Sequence, residues 1–513
     1  MHNRLADGGL ETTMNDFETL CARLAELSDF QTAAGLLRWD QQTYMPPGGA
    51  ETRAMQLTTL AKTVHERFVS DETGRLLGDL EAELSDAEYD SFEASLVRVT
   101  RRRYDRMRKL PQQLVAELAR EGALGHAAWE KARASSDYGA FLPHLERLVD
   151  LTIQRAEALG YEERRYDALL DRYEPDMKAS QVQVLFDEMK AGLVPLVRAI
   201  AERQSAVDDS ILTQDFDKVD QWNFGLQVIK QIGFDLDRGR QDRAAHPFTS
   251  GFSPGDVRLT TRVYRDNLKP ALFATIHEMG HGTYEQGYDR ALDRTPLSGA
   301  ASLGVHESQS RMWENVVGRS RGFWTFWLPR LKEYFPVQLE GVDVEGFYRA
   351  INRVAPSFIR VEADEVTYNL HIFLRFEIEN LMLEGQVKLA DLPELWNAKM
   401  EEYLGVRPRN DAEGVLQDVH WSGGMIGYFP TYSLGNLLSV QFYNQAVSAV
   451  PKIPSQIEQG EYSSLLSWMR NNIHVHGAKY TPVELVKRAT GGPLSTQPFL
   501  DYVRKKYTEI YDL

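Results

Sequence analysis

Residues 277–281 read His-Glu-Met-Gly-His, and their types and spacing could do chemistry. Histidines four apart on a helix project from one face, one turn from each other. Two imidazoles so placed can reach one metal ion, at Zn–N distances of about 2.0–2.1 Å. Glu278 lies between them and is not needed as a ligand. It is free to take a proton from a water activated at the ion. One and a half turns of helix thus offer two ligands and a general base.

The surroundings suit this reading. Pro270 fits the first turn of a helix, and 271–284 contains no further proline. Leu272, Phe273, Ile276 and Met279 can bury against a core while the histidines point elsewhere. Gly282 and Gly287 offer places for the helix to end. A catalytic site needs a third protein ligand and an open fourth position. Glu307 is the candidate, on a second helix entered after Gly299 and Gly304. His306 competes with it, but adjacent helical residues point about 100° apart, so one ion does not suit both. Glu314, two turns on, is placed to support the site from behind the ligands.

These residues need elements to hold them. The chain has 513 residues, with no low-complexity stretch and no internal repeat. It reads as one catalytic unit over 1–513, with two helical lobes and 1–13 as a loose leader. The net charge of −16 argues against a nucleic-acid binder. The basic run Arg101–Lys109 is interrupted at helical spacing by Tyr104 and Met107, as in a solvated helix face. Cys21 is the only cysteine, so neither an intramolecular disulfide nor a Cys-type structural zinc site is possible. The start has no apolar core of a signal peptide, and no run reaches the ~18 apolar residues of a membrane span. A cytoplasmic location is the expectation.

Helical periodicity dominates, over 17–27, 51–69, 89–109, 111–121, 142–159, 180–204, 212–232, 324–334 and 392–404. The expected class is mainly α, a large helical bundle-like fold. Residues 245–264 differ. A turn signal, Ser253-Pro254-Gly255-Asp256, precedes β-branched residues, which predicts a small hairpin beside the metal helix. Its edge could hold an extended peptide by main-chain hydrogen bonds.

Two further constellations stand out. Ile359–Glu365 sets Arg360 among acids. Bidentate carboxylate capture suits an arginine, but an ion pair with Glu362, Asp364 or another acid is the plainer local reading. Residues 414–430 mix glycines, aromatics and polar groups, including Asp418, His420, Trp421 and Tyr428, and fit a loop lining a cleft.

Taken in order, these motifs resemble the carboxypeptidase Taq family of thermostable metallocarboxypeptidases. The resemblance runs from Trp39-Asp40-Gln41-Gln42-Thr43-Tyr44-Met45-Pro46 to Gly427-Tyr428-Phe429-Pro430. Between them it takes in His246-Pro247-Phe248, Asp256-Val257-Arg258-Leu259-Thr260, the metal pentapeptide and His306-Glu307-Ser308. Ile359-Arg360 with Ala363-Asp364, and Gln417-Asp418-Val419-His420-Trp421, complete it. It implies a helical fold with a deep active-site groove, and a homodimer. It implies a zinc enzyme, with cobalt as a substitute, that removes single amino acids from peptide C-termini with broad specificity. It supports His277, His281 and Glu307 as ligands, and Arg360 and His246 as substrate-binding residues. His420 and Tyr428, with Tyr432 in reserve, are the candidates for stabilising the oxyanion. The competing readings are an oligopeptidase or dipeptidyl carboxypeptidase on the same scaffold, and a metal-stabilised binding protein without turnover. Retention of Glu278 argues against the last.

Overall fold

The computed structural model describes residues 14–513; the expected leader at 1–13 lies outside them. The chain divides into two compact units. The smaller comprises the chain up to Arg108 with Leu292–Ser298, and the larger Lys109–Ala291 with Gly299–Leu513.

In the smaller unit four helices, Asp16–Thr43, Ala50–Phe68, Asp71–Glu83 and Phe92–Arg108, pack on a core that includes Leu20, Leu24, Leu76, Leu96 and Tyr104. Leu292 and Leu297 add to it. The first helix starts from a capping box. The Asn15 side chain accepts from Glu18 N, and Glu18 accepts from Asn15 N. Arg101 pairs with Glu81 of the neighbouring helix, so the basic run is a helix face, as its spacing suggests.

The larger unit has two apolar cores. Helix Thr367–Leu383 runs through one of them and is buried on nearly every side. Helix Pro430–Ala449 joins the two. Leu434 and Leu437 belong to one core, Leu438 and Phe442 to the other. Periodicity cannot find such helices, because an element buried all round has no polar face to alternate with.

Elsewhere the expected helices are present with shifted ends. The one expected over 111–121 runs Gln112–Ser135. The one expected from Leu212 starts at Lys218, where the Asp217 carboxylate accepts from Val219 N and Asp220 N. Residues 414–429 form a loop with a single short helical turn at Trp421–Gly423, and Pro430 opens the next helix.

The expected hairpin is part of a three-stranded sheet: β1 Gly239–Arg243, β2 Thr249–Ser253 and β3 Asp256–Thr261. Their order is β1-β3-β2. β1 lies parallel to β3, and β2 antiparallel to it, with an irregularity at Gly251/Ser253. β1 was not expected, since Gly-Arg-Gln-Asp-Arg shows no apolar alternation. β2 is an edge strand against the metal helix, Leu268–Glu285. That helix begins two residues before Pro270, with Asn267 as its cap. It runs through Gly282, whose missing side chain leaves room for Phe234 and Leu259. Among the described residues no helix is long and apolar enough to cross a membrane.

Candidate metal centre

His277, Glu278 and His281 all lie on the metal helix; Glu307 lies on helix Leu303–Arg311. Glycines at two points let the supporting helices come this close. A Cβ at Gly280 would stand 2.6 Å from Ser310 Cα and 2.7 Å from Gln309 O. A Cβ at Gly435 would stand 2.6 Å from Glu307 Cγ. The Glu307 helix is therefore held between the metal helix and helix Pro430–Ala449, at near-backbone contact on both sides.

The geometry suits a cation. Glu307 Oε2 is 3.6 Å from His277 Nε2 and 3.4 Å from His281 Nε2, and the three donor atoms lie within 4.8 Å of one another. Tetrahedral ligands at about 2.0–2.1 Å from zinc stand about 3.3–3.4 Å apart. The outer ring nitrogens are engaged. His277 Nδ1 meets Glu314 Oε2 at 2.9 Å, and His281 Nδ1 meets the His306 carbonyl at 3.0 Å. Both rings thus turn Nε2 toward Glu307, the orientation that partners behind a metal-binding histidine impose. His306 itself pairs through Nε2 with Glu285 at 2.8 Å and stacks on His281, so its side chain is not in the cluster. Glu314 occupies the supporting position expected of it. It lies on a π-helical stretch, Met312–Val317, that continues the Glu307 helix.

The charges follow from these contacts. Burial pushes the Glu307 carboxyl up, but Arg311 and the histidines outweigh it and hold it well below the usual range. Burial and the neighbouring His306 drop His281 to about 3, so its ring is neutral at pH 7. Glu278 is pushed up by burial, against the pull of His277 and Thr249. Thr249 Oγ1, at the start of β2, donates to Glu278 Oε2 at 2.7 Å. Sequence reading missed both Thr249 and Arg311; each lies beside a motif residue without belonging to a chemical pattern.

A second cluster adjoins the first through stacked groups. The Arg311 guanidinium lies 4.5 Å from the Tyr368 ring centroid, and Tyr368 OH accepts from Arg360 Nη1 at 2.8 Å. Arg360 donates through Nε and Nη2 to Asp418 Oδ1 at 3.0 and 2.8 Å. Arg375 donates to the other oxygen at 2.6 Å. The partner of Arg360 is thus neither Glu362, which is exposed, nor Asp364, which accepts from Val366 N and Thr367 N. It is Asp418, far along the chain. His420 Nε2 stands 3.3 Å from Tyr432 OH. Tyr428 packs on His420 and Tyr432. Burial and the two arginines, against Asp418, hold His420 down at about 4. Burial and the Glu307 charge push Tyr428 up to about 12. His246 lies apart in the exposed turn before β2, and its carbonyl accepts from Thr260 Oγ1 at 3.4 Å. Arg258 and Arg409 are paired with Asp256 and Glu413.

Two imidazoles and one carboxylate converging on a point, with a spare buried carboxylate beside them, are the equipment of a metallopeptidase. A model of the carboxypeptidase Taq (M32) metallopeptidase family matches residues 19–507. Thermostable carboxypeptidase 1 of Thermus thermophilus is 43% identical over 506 residues, 97% of this chain and 98% of that one. Carboxypeptidase 1 of Bacillus subtilis is 38% identical, over 95% and 97% of the two chains. The crystal structure of an M32 carboxypeptidase from Deinococcus radiodurans matches with a TM-score of 0.94 at 41% identity, covering 97% of this chain and all of that one. A Pyrococcus furiosus carboxypeptidase structure matches at 0.93 and 37%, covering 97% and 100%. The chain belongs to the carboxypeptidase Taq (M32) metallopeptidase family, and it is a metal-dependent carboxypeptidase.

The close contact at Gly280 yields a test. In Gly280→Ala the new methyl meets the backbone at Gln309 and Ser310, so the two helices must part. We expect about 1–3 kcal/mol of destabilisation, typical of overpacking, with reduced metal content. Denaturant midpoints and elemental analysis of the purified variant measure both.

Proposed function

We propose that His277, His281 and Glu307 hold a catalytic zinc ion, replaceable by cobalt, and that the enzyme releases single amino acids from peptide C-termini with broad specificity. The observation that carries the ligand assignment is the convergence of two Nε2 atoms and Oε2 at 3.4–3.6 Å, with both outer ring nitrogens engaged. Such an ion, when bound, supplies Lewis acidity for the scissile carbonyl and for the attacking water.

The chain's own groups handle protons and orientation. Thr249 occupies Glu278 Oε2, which leaves Oε1 to take the proton of the attacking water. Glu278 then carries that proton toward the leaving amine. The raised pKa of this buried carboxyl suits a group that both accepts and returns a proton. β2, as an edge strand beside Glu278, presents main-chain groups to an extended peptide.

Arg360 is our candidate for the terminal carboxylate. A guanidinium has five N–H groups, and Arg360 spends three of them on Asp418 and Tyr368. Charge supports the assignment. Among the described residues Asp418 is the one carboxylate ion-paired with both Arg360 and Arg375, and His420 is neutral at pH 7. Glu379, a buried carboxyl raised to about 7, also feels Arg375. The ion-paired trio of Arg360, Arg375 and Asp418 by itself keeps one excess positive charge, which an anion can offset. Tyr428, Tyr432 and His420 remain our candidates for donating to the oxyanion, since Glu307 lies close enough to act on both tyrosines. His246, in the exposed turn before β2, is a candidate substrate contact. A homodimer and a cytoplasmic setting complete the proposal, the latter supported by a single cysteine in 513 residues.

Three outcomes test this reading. A chelator should abolish hydrolysis of free-acid peptides, zinc or cobalt should restore it, and the first product seen by mass spectrometry should be a single amino acid. A dipeptide as first product would overturn the proposed cut position.

Glu278→Gln should keep its metal while turnover falls by at least ~10²-fold, the usual scale for a positioned acid/base. Near-normal turnover with full metal would remove Glu278 from the chemistry.

Arg360→Ala should lower kcat/KM for free-acid peptides by ~10–10³-fold, about 1.5–4 kcal/mol for a lost charge-assisted contact. C-terminally amidated peptides should be poor substrates from the outset and change little. Equal losses for both peptide types would mean that Arg360 serves only the Asp418 pair.

A further inference from the structure

The two oxygens of Glu307 meet different partners. Oε2 faces both histidines. Oε1 accepts from Arg311 Nε at 2.6 Å, one helical turn further along. Arg311 is itself held. Its guanidinium lies against the Tyr368 ring, and Nη1 reaches Glu314 Oε2 at 3.4 Å. Neutralising Glu314 does not depend on this contact, because Arg319 Nη2 donates to Glu314 Oε1 at 3.0 Å. The short bond of Arg311 is the one to Glu307.

That bond bears on how many oxygens Glu307 can offer. A carboxylate beside a divalent ion can close on it with one oxygen or with both. Closing with both fills a place that a catalytic site keeps open. A charge-assisted hydrogen bond of this length ties Oε1 to the guanidinium. Gly435, having no side chain, lets helix Pro430–Ala449 lie directly against the Glu307 stem. Resting on the reading of Glu307 as third ligand, we propose that Arg311 is a positioning residue that makes Glu307 a one-oxygen ligand. Its role is to preserve the open position, and it acts from behind the ligand as second partners of metal sites do.

The test reads the site directly, without turnover. Full-length protein is loaded with Co²⁺ and examined by X-ray absorption and visible spectroscopy. The wild type should show one Glu307 oxygen at bonding distance and the strong visible absorption of a low-coordinate site. Arg311→Met keeps much of the side-chain bulk and frees Oε1. Its coordination number should rise by one, and its visible absorption should fall severalfold. Arg311→Lys restores a charged donor and should return the spectrum toward that of the wild type. Two bonded Glu307 oxygens in the wild type would overturn the proposal, whether or not the variants fold. A wild-type spectrum in Arg311→Met would overturn it as well. Failure of the underlying reading looks different: Glu307→Ala would then bind Co²⁺ with an unchanged spectrum.

Discussion

Glu307 carries a negative charge in a place nearly closed to water, and the centre is arranged around that constraint. Burying an ion costs several kcal/mol unless charge and hydrogen bonds replace its hydration. His281 is kept neutral by burial and helps through its hydrogen bond rather than as a cation. Arg311 supplies most of the charge, with His277 next, and its i,i+4 placement on the same helix keeps it in register with Glu307. The close approaches at Gly280 and Gly435 supply the geometry. Widening either contact would move the carboxylate relative to the histidines, so helix packing and the spacing of these three groups are one problem here.

The same electrostatic logic extends away from the ion. Glu314 takes Arg319 on one oxygen and His277 on the other, so the ring that faces Glu307 is oriented by a neutralised carboxylate. Arg311, Tyr368 and Arg360 follow in sequence, guanidinium against ring and ring hydroxyl against guanidinium. A displacement at Arg360 therefore has a path of direct contacts to the Glu307 carboxylate. Arg360 and Tyr368 are buried, and a close-packed interior transmits strain.

Much of this was legible in the sequence, for reasons that differ by residue. His277, Glu278 and His281 could be read because helix geometry alone brings them together. Glu307 needed a second helix, and its place was inferred from glycine signals and from the need for a third ligand. Glu314 followed because it recurs two turns on. Arg311 was passed over because an i,i+4 Glu–Arg pair looks like an ordinary solvated helix pair. Only burial makes it matter, and burial comes from distant segments: Gly435 lies against Glu307 and the Tyr368 ring against Arg311. Asp418 was not assigned to Arg360 because acids closer in sequence competed for it, and both turned out to be engaged elsewhere or exposed. β1 lacked alternation. The buried helix Thr367–Leu383 lacked a polar face, so no period marked it.

The two clusters differ in the sign of charge they leave unfilled. Around the histidines, Glu278, Glu307 and Glu314 face Arg311 and Arg319, an arrangement that a divalent cation completes. Around Asp418, two guanidiniums share one carboxylate, and burial pushes Arg375 down to about 10 as it resists carrying the surplus. An anion would relieve that surplus, as the proposed capture of a peptide's terminal carboxylate by Arg360 requires. On that proposal, discrimination would rest on electrostatics more than on shape. An amidated or internal peptide segment would leave the second cluster with its charge uncompensated while satisfying the first. Apolar contacts to the released side chain would add only modest selectivity, as the proposed broad specificity requires.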